Sequence, residues 1–161
     1  MAALGLDDAA EMSEAERILR SAHQVLLVDW PSRDVPQALA EAGYAVVVKG
    51  RPAPDAYSRW YLADGEVRRG ELDRPLDHAD LVYAHRPLDE LPGIVDTARR
   101  LGATAVWRQS GLDRAGSSDP VGCWLPATES QQGRRLVESA GMDYIDDVYI
   151  VDAVRALAPD S

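Results

Sequence analysis

The sequence predicts an α/β protein whose core is a doubly wound parallel sheet of about five strands, with helices on both faces. Short, continuous apolar runs recur along the chain, as expected for strands that are buried on both faces. They alternate with segments of helical apolar spacing, and this order builds a parallel sheet. With 161 residues, of which 46% are apolar and 27% charged, the chain is long enough for one such domain.

The five strands are predicted at the apolar runs VLLVD (25–29), AVVV (45–48), DLVYA (80–84), TAVW (104–107) and DYI (143–145). SEAERILRSA (13–22) predicts a helix that Ser13 caps, with Glu16 three residues later completing a capping box. Three later helices are predicted to end at Gly43, Gly102 and Gly141, because a left-handed C-terminal cap favours a residue without a side chain.

Two stretches interrupt this alternation. RWYLADGEVRRGEL (59–72) contains Asp64-Gly65 between short runs, which predicts a hairpin outside the main sheet. Residues 112–133 are rich in Gly, Ser and Pro and predict a long loop. We therefore expect a flexible acidic leader at 1–12, one domain over 13–157 and a short tail at 158–161.

The charge and cysteine content exclude several classes of protein. A net charge of −10 argues against a nucleic-acid binder, so an anionic ligand would need locally positive potential. The N-terminus has no signal-peptide pattern and no run is long enough to cross a bilayer, so we expect a cytoplasmic protein without a membrane partner. The single Cys123 excludes an internal disulfide, and the three histidines lack the spacing of metal ligands.

The run ADLVYAHRPLDELPGIVDTARRLGATAVWRQSG (79–111) resembles the CoA-binding domain proteins, which are small Rossmann-like relatives of the CoA-binding domain of succinyl-CoA ligase. In that family the third strand ends in an Arg-Pro-type turn, which Arg86-Pro87 matches. The next strand ends in Val-Trp-x-Gln-x-Gly, matched here from Val106 to Gly111. The resemblance extends over about residues 13–157 and implies a Rossmann-like fold with CoA or acyl-CoA as the ligand.

The chain departs from the family pattern at three turns. The usual Gly-Ala-Ser of the first turn is replaced by DWPS (29–32), and the usual Asn-Pro after the second strand is replaced by Lys49-Gly50. Of the Asp-Arg-Cys that the family commonly carries near its end, only Asp147 persists. These departures concern the ligand more than the fold.

Ligands of open parallel sheets bind beyond the carboxyl ends of the strands, so the turns there supply the candidate site. Arginine and lysine can pair with phosphate groups. Hydroxyl and amide side chains can form hydrogen bonds with pantetheine, and an indole can stack on adenine. The candidate cofactor-binding residues are Trp30, Ser32, Arg33, Lys49, Arg86, Pro87, Gln109 and Ser110. A purely structural alternative is that Ser32 or Asp34 caps the next helix, and that Lys49 and Arg51 are solvated charges.

Two functions remain open from the sequence. The first is a non-catalytic protein that binds a nucleotide-type small molecule, CoA or acyl-CoA. The second is a degenerate relative in which Asp29 and Trp30 fill the phosphate position and the hairpin presents a protein-interaction or regulatory surface. No set of residues supplies an acid, a base and a nucleophile together, so the sequence favours a binding protein over an enzyme. A homodimer is compatible with a small domain that carries an extra hairpin.

Overall fold

In the computed structural model, which describes residues 13–50, 56–72 and 76–157, one seven-stranded sheet forms the centre of the molecule. Its strand order is β4-β3-β2-β1-β5-β6-β7. The strands are β1 Gln24–Val28, β2 Ala45–Lys49, β3 Tyr57–Ala63, β4 Glu66–Leu72, β5 Leu81–Ala84, β6 Ala105–Arg108 and β7 Asp143–Ile145. The five predicted strands all pair in parallel, which confirms the fold class. The predicted leader and tail lie outside the described residues.

Helices cover both faces of this sheet. They are α1 Glu14–Ser21, α2 Asp34–Glu41, α3 Leu91–Arg100, α4 Ala127–Glu138 and α5 Ile150–Leu157. Helices α1, α2 and α5 share one apolar cluster with the sheet, and α3 and α4 share the other. A short 3₁₀ turn at Leu88–Glu90 leads into α3.

The helix boundaries follow the local signals that the sequence contains. The Ser13 hydroxyl accepts a hydrogen bond from the Glu16 backbone N–H at 3.2 Å, while the Glu16 carboxylate binds Arg20. Gly43, Gly102 and Gly141 follow their helices with φ of 96°, 78° and 85°, in the left-handed region that favours glycine. The capping residue at Ser13 and the three glycine stops are confirmed, but the predicted reciprocal half of the capping box is wrong, because the Glu16 carboxylate binds Arg20 instead.

The prediction that the 59–72 hairpin lies outside the main sheet is wrong. Strand β3 pairs antiparallel with β2, and Trp60 lies directly opposite Val46. Trp60 is only 4% exposed, so the hairpin buries a large side chain on the sheet face that α2 covers. This burial explains why the hairpin extends the sheet and makes β4 an edge strand.

Two further predictions are corrected. The loop predicted at 112–133 ends earlier, because α4 begins at Ala127 directly after Pro126, and only the Gly-, Ser- and Pro-rich part of this stretch is a loop. The expected side-chain cap of α2 is also wrong. Arg33 precedes the helix without a side-chain cap bond, and the Ser32 hydroxyl lies 3.5 Å from that of Tyr149.

Candidate functional site

The carboxyl ends of the five parallel strands form one rim of the sheet, and the candidate residues follow these ends. The chain places β2 on one side of β1 and β5 on the other, so the strand order reverses between β1 and β5. Such a reversal opens a crevice at the rim, where ligands of doubly wound sheets bind. The turn after β1 is therefore central to the site.

The turn after β1 places a residue other than glycine in the left-handed region of backbone conformation. Asp29 has φ of 66°, and its Oδ1 accepts a hydrogen bond of 2.8 Å from the backbone N–H of Trp30. Aspartate is one of the few side chains that tolerate this conformation, since its short polar group can bond locally. The turn thus bends sharply into α2 even though the glycine of the family pattern is absent.

The indole of Trp30 turns away from the rim after this step. Its ring lies 5.8 Å from the Trp60 ring, measured between centroids, with the two planes at 76°. Trp30 is absent from the residues that line the two rim cavities described below. Asp29, by contrast, lines one of them. Of the two residues expected to fill the phosphate position in a degenerate relative, only Asp29 stays at the rim.

We name the first of these the rim cavity. It has a volume of about 380 Å³ and lies beyond β1, β5 and β6. It is lined by Asp29, His85, Arg86, Pro87, Arg108, Ser110, Leu112, Leu125 and Glu129. Three of the predicted site residues, Arg86, Pro87 and Ser110, therefore meet here.

Arg86 is the cation at the centre of the rim, and two carboxylates bind it. Its Nε and Nη2 donate to Glu90 at 2.9 and 2.6 Å, and its Nη1 donates to Asp29 Oδ2 at 3.4 Å. The hydrogen bond with Glu90 raises the pKa of Arg86 and lowers the pKa of Glu90. A phosphate at Arg86 would have to compete with both carboxylates.

A second cavity, the α3 cavity, adjoins the rim cavity. It has a volume of about 420 Å³ and is lined by Val28, Lys49, Asp89, Glu90, Gly93, Ile94 and Thr97. Lys49 is half-buried at the end of β2, and a side chain added at Gly93 would meet open space. Because Arg86 lines one cavity and its partner Glu90 lines the other, this ion pair stands between them.

The Gln109 side chain forms its hydrogen bonds with other groups of the protein. Its side chain is fully buried, accepts a hydrogen bond from the Tyr83 hydroxyl at 2.6 Å, and donates to the carbonyls of Pro120 and Gly122 at 3.0 and 3.2 Å. These bonds fasten the loop between β6 and α4 to the sheet. A role of Gln109 as a ligand contact stays a prediction, and it would require breaking these bonds.

The residues around Gln109 fix the shape of the rim. Ser110 Oγ accepts a hydrogen bond from the Leu112 backbone N–H at 3.2 Å. The His85 Nδ1–H donates to the Gln109 carbonyl at 3.0 Å, and a Cβ at Gly111 would lie 2.6 Å from His85 Cε1. Glycine is required at 111 because of this close approach and because its φ is 69°.

Sequence reasoning missed Arg108 as a site residue. It is 2% exposed, and it donates to Glu129 Oε2 at 2.6 Å and to the Arg86 carbonyl at 3.3 Å. It therefore joins the turn after β5 to the start of α4. Strand alternation in AVWR, which places Arg108 on the same face as the buried Val106, is the signal that predicts an inward arginine.

The remaining predicted residues lie elsewhere. Arg33 is exposed and, together with Trp30, lines a separate cavity beside the hairpin. Ser32 faces Tyr149, as described above, and lines neither rim cavity. Arg51 lies outside the described residues. The rim thus brings together Lys49, Arg86, Pro87 and Ser110 but separates them from Trp30 and Arg33.

Three other features bear on the chemistry. Burial raises the pKa of the Cys123 thiol to about 12, with a further contribution from Asp147, so the thiol is protonated at neutral pH. Among the described residues no group of His, Cys, Asp or Glu side chains is arranged to hold a metal ion. Within the same residues, no helix has the length and apolar character needed to span a bilayer.

The chain was compared with known proteins. A family model described as CoA binding domain matches residues 26–153. A solved Thermus thermophilus structure, described as cell-free ID.343, superposes with a TM-score of 0.52 at 19% identity and covers 89% of this chain and 96% of its own. At that identity the likeness supports the fold alone, and a search of curated proteins found no match. Because the family model spans most of the chain, from β1 into α5, the chain belongs to the CoA binding domain family.

Proposed function

We propose that the protein binds CoA or an acyl-CoA along the rim without catalysing a reaction. The observation that carries this proposal is the left-handed Asp29, with φ of 66°, because it lets the first turn bend away and leave the rim cavity open without glycine. Family membership supports a CoA-binding role in general. The adenosine end would lie at Lys49 in the α3 cavity and the pantetheine arm in the rim cavity, with the pyrophosphate crossing at Arg86.

The residues present fit this ligand in shape and in chemistry. The two cavities together extend from β2 to β6, which suits an elongated molecule. Lys49 can pair with a phosphate, while the Ser110 hydroxyl can bond a pantetheine amide. Among the described rim residues, the Ser110 hydroxyl accepts from the Leu112 N–H and no hydrogen bond joins it to the His85 ring, whose Nδ1 donates to a backbone carbonyl, while the Cys123 thiol is protonated. These features support binding without chemistry.

The test is thermal unfolding with CoA, acetyl-CoA, NAD, ATP and ADP. A ligand at a hundred times its dissociation constant should stabilise the protein by about 2.7 kcal/mol. Arg86→Ala should reduce the CoA shift, because Arg86 lines the rim cavity, whereas Arg100→Ala should preserve it, because Arg100 is exposed at the far end of α3. A CoA shift that Arg86→Ala leaves unchanged would place the ligand elsewhere.

A second candidate function is a degenerate interaction or regulatory domain. The observation that favours it is the neutralisation of Arg86 by Asp29 and Glu90, which leaves the central cation of the rim already paired. No shift with any of the five compounds would favour this candidate over CoA binding.

A further inference from the structure

A third cavity lies beside the hairpin, on the sheet face that α2 covers. This indole cavity has a volume of about 460 Å³ and is lined by Trp30, Arg33, Ser58, Trp60, Arg69, Gly70 and Glu71. It shares no lining residue with the rim cavity or the α3 cavity. A neighbouring cavity that shares Arg33, Trp60 and Arg69 continues it along the first turn of α2. The hairpin and the helix therefore enclose a space that CoA binding at the rim does not use.

The two tryptophans give the indole cavity a surface suited to a flat ring. Trp60 is buried and Trp30 half-buried, and their planes are nearly perpendicular at 76°. Trp60 is only 4% exposed and Arg69 lies over its ring, so the half-buried Trp30 is the more accessible indole, and an aromatic ring can stack on Trp30 with Trp60 at the inner end of the cavity. Stacked and edge-to-face contacts are both favourable for aromatic pairs beyond the area that they bury.

Two guanidinium groups border this cavity. Arg69 lies over the Trp60 ring, with Cζ 5.0 Å from the centroid, and Arg33 is exposed at the start of α2. Among the described residues neither side chain forms an ion pair. Within the described part of the chain, neither Glu71 in the cavity nor Asp34 in its continuation forms an ion pair with either arginine. Both cations are therefore available to an anionic group.

We propose that the indole cavity is a second binding site, and that it takes a small planar aromatic anion. The ring stacks on Trp30 with Trp60 at the inner end of the cavity, and the carboxylate or phosphate that it carries lies between Arg33 and Arg69. This site is independent of the proposed CoA site. It also accounts for the positions of Trp30 and Arg33, which the first turn directs away from the rim.

The test is calorimetric titration of the full chain with 1-naphthoate and with the uncharged 1-naphthamide. We expect 1-naphthoate to bind at one site at least tenfold more tightly than the amide. Arg69→Gln should weaken 1-naphthoate about tenfold. Arg68→Gln is the matched control, because it removes the same charge from the same strand but lies opposite Tyr61 on the other face of the hairpin. Equal affinity for acid and amide, or equal effects of the two variants, would overturn the proposal.

Two further measurements keep the result interpretable. Trp30→Leu should remove 1-naphthoate binding, while Trp124→Leu, at an exposed loop tryptophan, should not. If Trp30→Leu fails to fold, Arg33→Gln at the exposed start of α2 replaces it and should weaken 1-naphthoate about tenfold. Loss of 1-naphthoate binding on Arg86→Ala, or its displacement by CoA, would show that the probe occupies the rim and would refute a separate site.

Discussion

Replacing Asp29 by glycine should change stability little and raise the affinity of the rim for CoA. An L-residue in the left-handed region costs about 1–2 kcal/mol, less for aspartate, and glycine removes this strain. Glycine also gives the unfolded chain more conformational entropy, which lowers the free energy of unfolding by about 0.5–1 kcal/mol. The lost ion pair with Arg86, 3.4 Å long and partly exposed, and the lost hydrogen bond from the Trp30 N–H each contribute about 0.5 kcal/mol. These terms nearly cancel, so the free energy of unfolding should move by less than about 1 kcal/mol.

The expected gain in CoA affinity follows from removal of the negative charge of Asp29. Asp29 lines the cavity in which the anionic ligand is proposed to lie, and it also neutralises Arg86. Removing one like charge a few ångströms from a phosphate in a partly solvated site is worth about 1–2 kcal/mol, or about tenfold in the dissociation constant. Calorimetry with CoA at low and high salt measures this gain, which should shrink at high salt because mobile ions screen it.

Asp64 supplies a matched control, because it is also an aspartate in the left-handed region, with φ of 55°, but it lies at the hairpin turn. Asp64→Gly should alter stability by a similar amount and leave CoA affinity unchanged. If Asp29→Gly lowers the free energy of unfolding by more than about 2 kcal/mol, the Asp29 side chain stabilises the turn and the strain argument is wrong. If CoA affinity stays the same or falls, Asp29 does not face the ligand.

Three other changes test the structure around the rim. The half-buried Cys123 thiol, with its pKa raised to about 12, should react with iodoacetamide at pH 8 roughly a thousandfold more slowly in the folded than in the unfolded protein. The stability that the protonated thiol contributes should be lost as pH rises above about 8.5. Equal rates would contradict the raised pKa. Gln109→Leu leaves the buried Tyr83 hydroxyl without its acceptor and should lower the free energy of unfolding by about 2 kcal/mol in denaturant titrations. Glu129→Gln removes the carboxylate from the buried Arg108 and should destabilise by about 2 kcal/mol, less than for a fully buried pair because Glu129 is itself partly solvated; in both cases an unchanged unfolding midpoint would refute the assigned contacts.

The fold could be predicted from the sequence because its signals are local. Each buried strand is a continuous apolar run, and each glycine that ends a helix has the positive φ that glycine favours. The position of the hairpin could not be predicted in this way. Asp64-Gly65 specifies the turn, but whether β3 joins the sheet depends on the long-range pairing of Trp60 with Val46.

The candidate site was only partly predictable, because a residue type does not specify its partners. The Arg86–Glu90 pair joins residues only four apart, across the short 3₁₀ turn, but the contact of Arg86 with Asp29 joins residues 57 apart in the chain. Gln109 has the chemistry of a ligand contact, and its burial depends on the path of a loop that carries no periodic signal. The direction of Trp30 depends on the left-handed conformation of Asp29, which sequence rules assign first to glycine and only in a minority of cases to aspartate.

The charges at the rim bear on which part of CoA the protein recognises. The side chains that line the two rim cavities include the cations Lys49, Arg86 and Arg108 and the carboxylates Asp29, Asp89, Glu90 and Glu129. Three cations against four carboxylates offer little net attraction for phosphates. Binding should therefore depend mainly on the pantetheine arm, which can bond Ser110 and pack on Leu112 and Leu125 in the rim cavity.

In thermal unfolding at equal concentrations, pantetheine should stabilise the protein more than ADP does, and Ser110→Ala should reduce the pantetheine shift without changing that of ADP. Stabilisation by ADP as large as that by CoA would contradict this argument, since it would mean that the phosphates find a positive site despite the paired arginines.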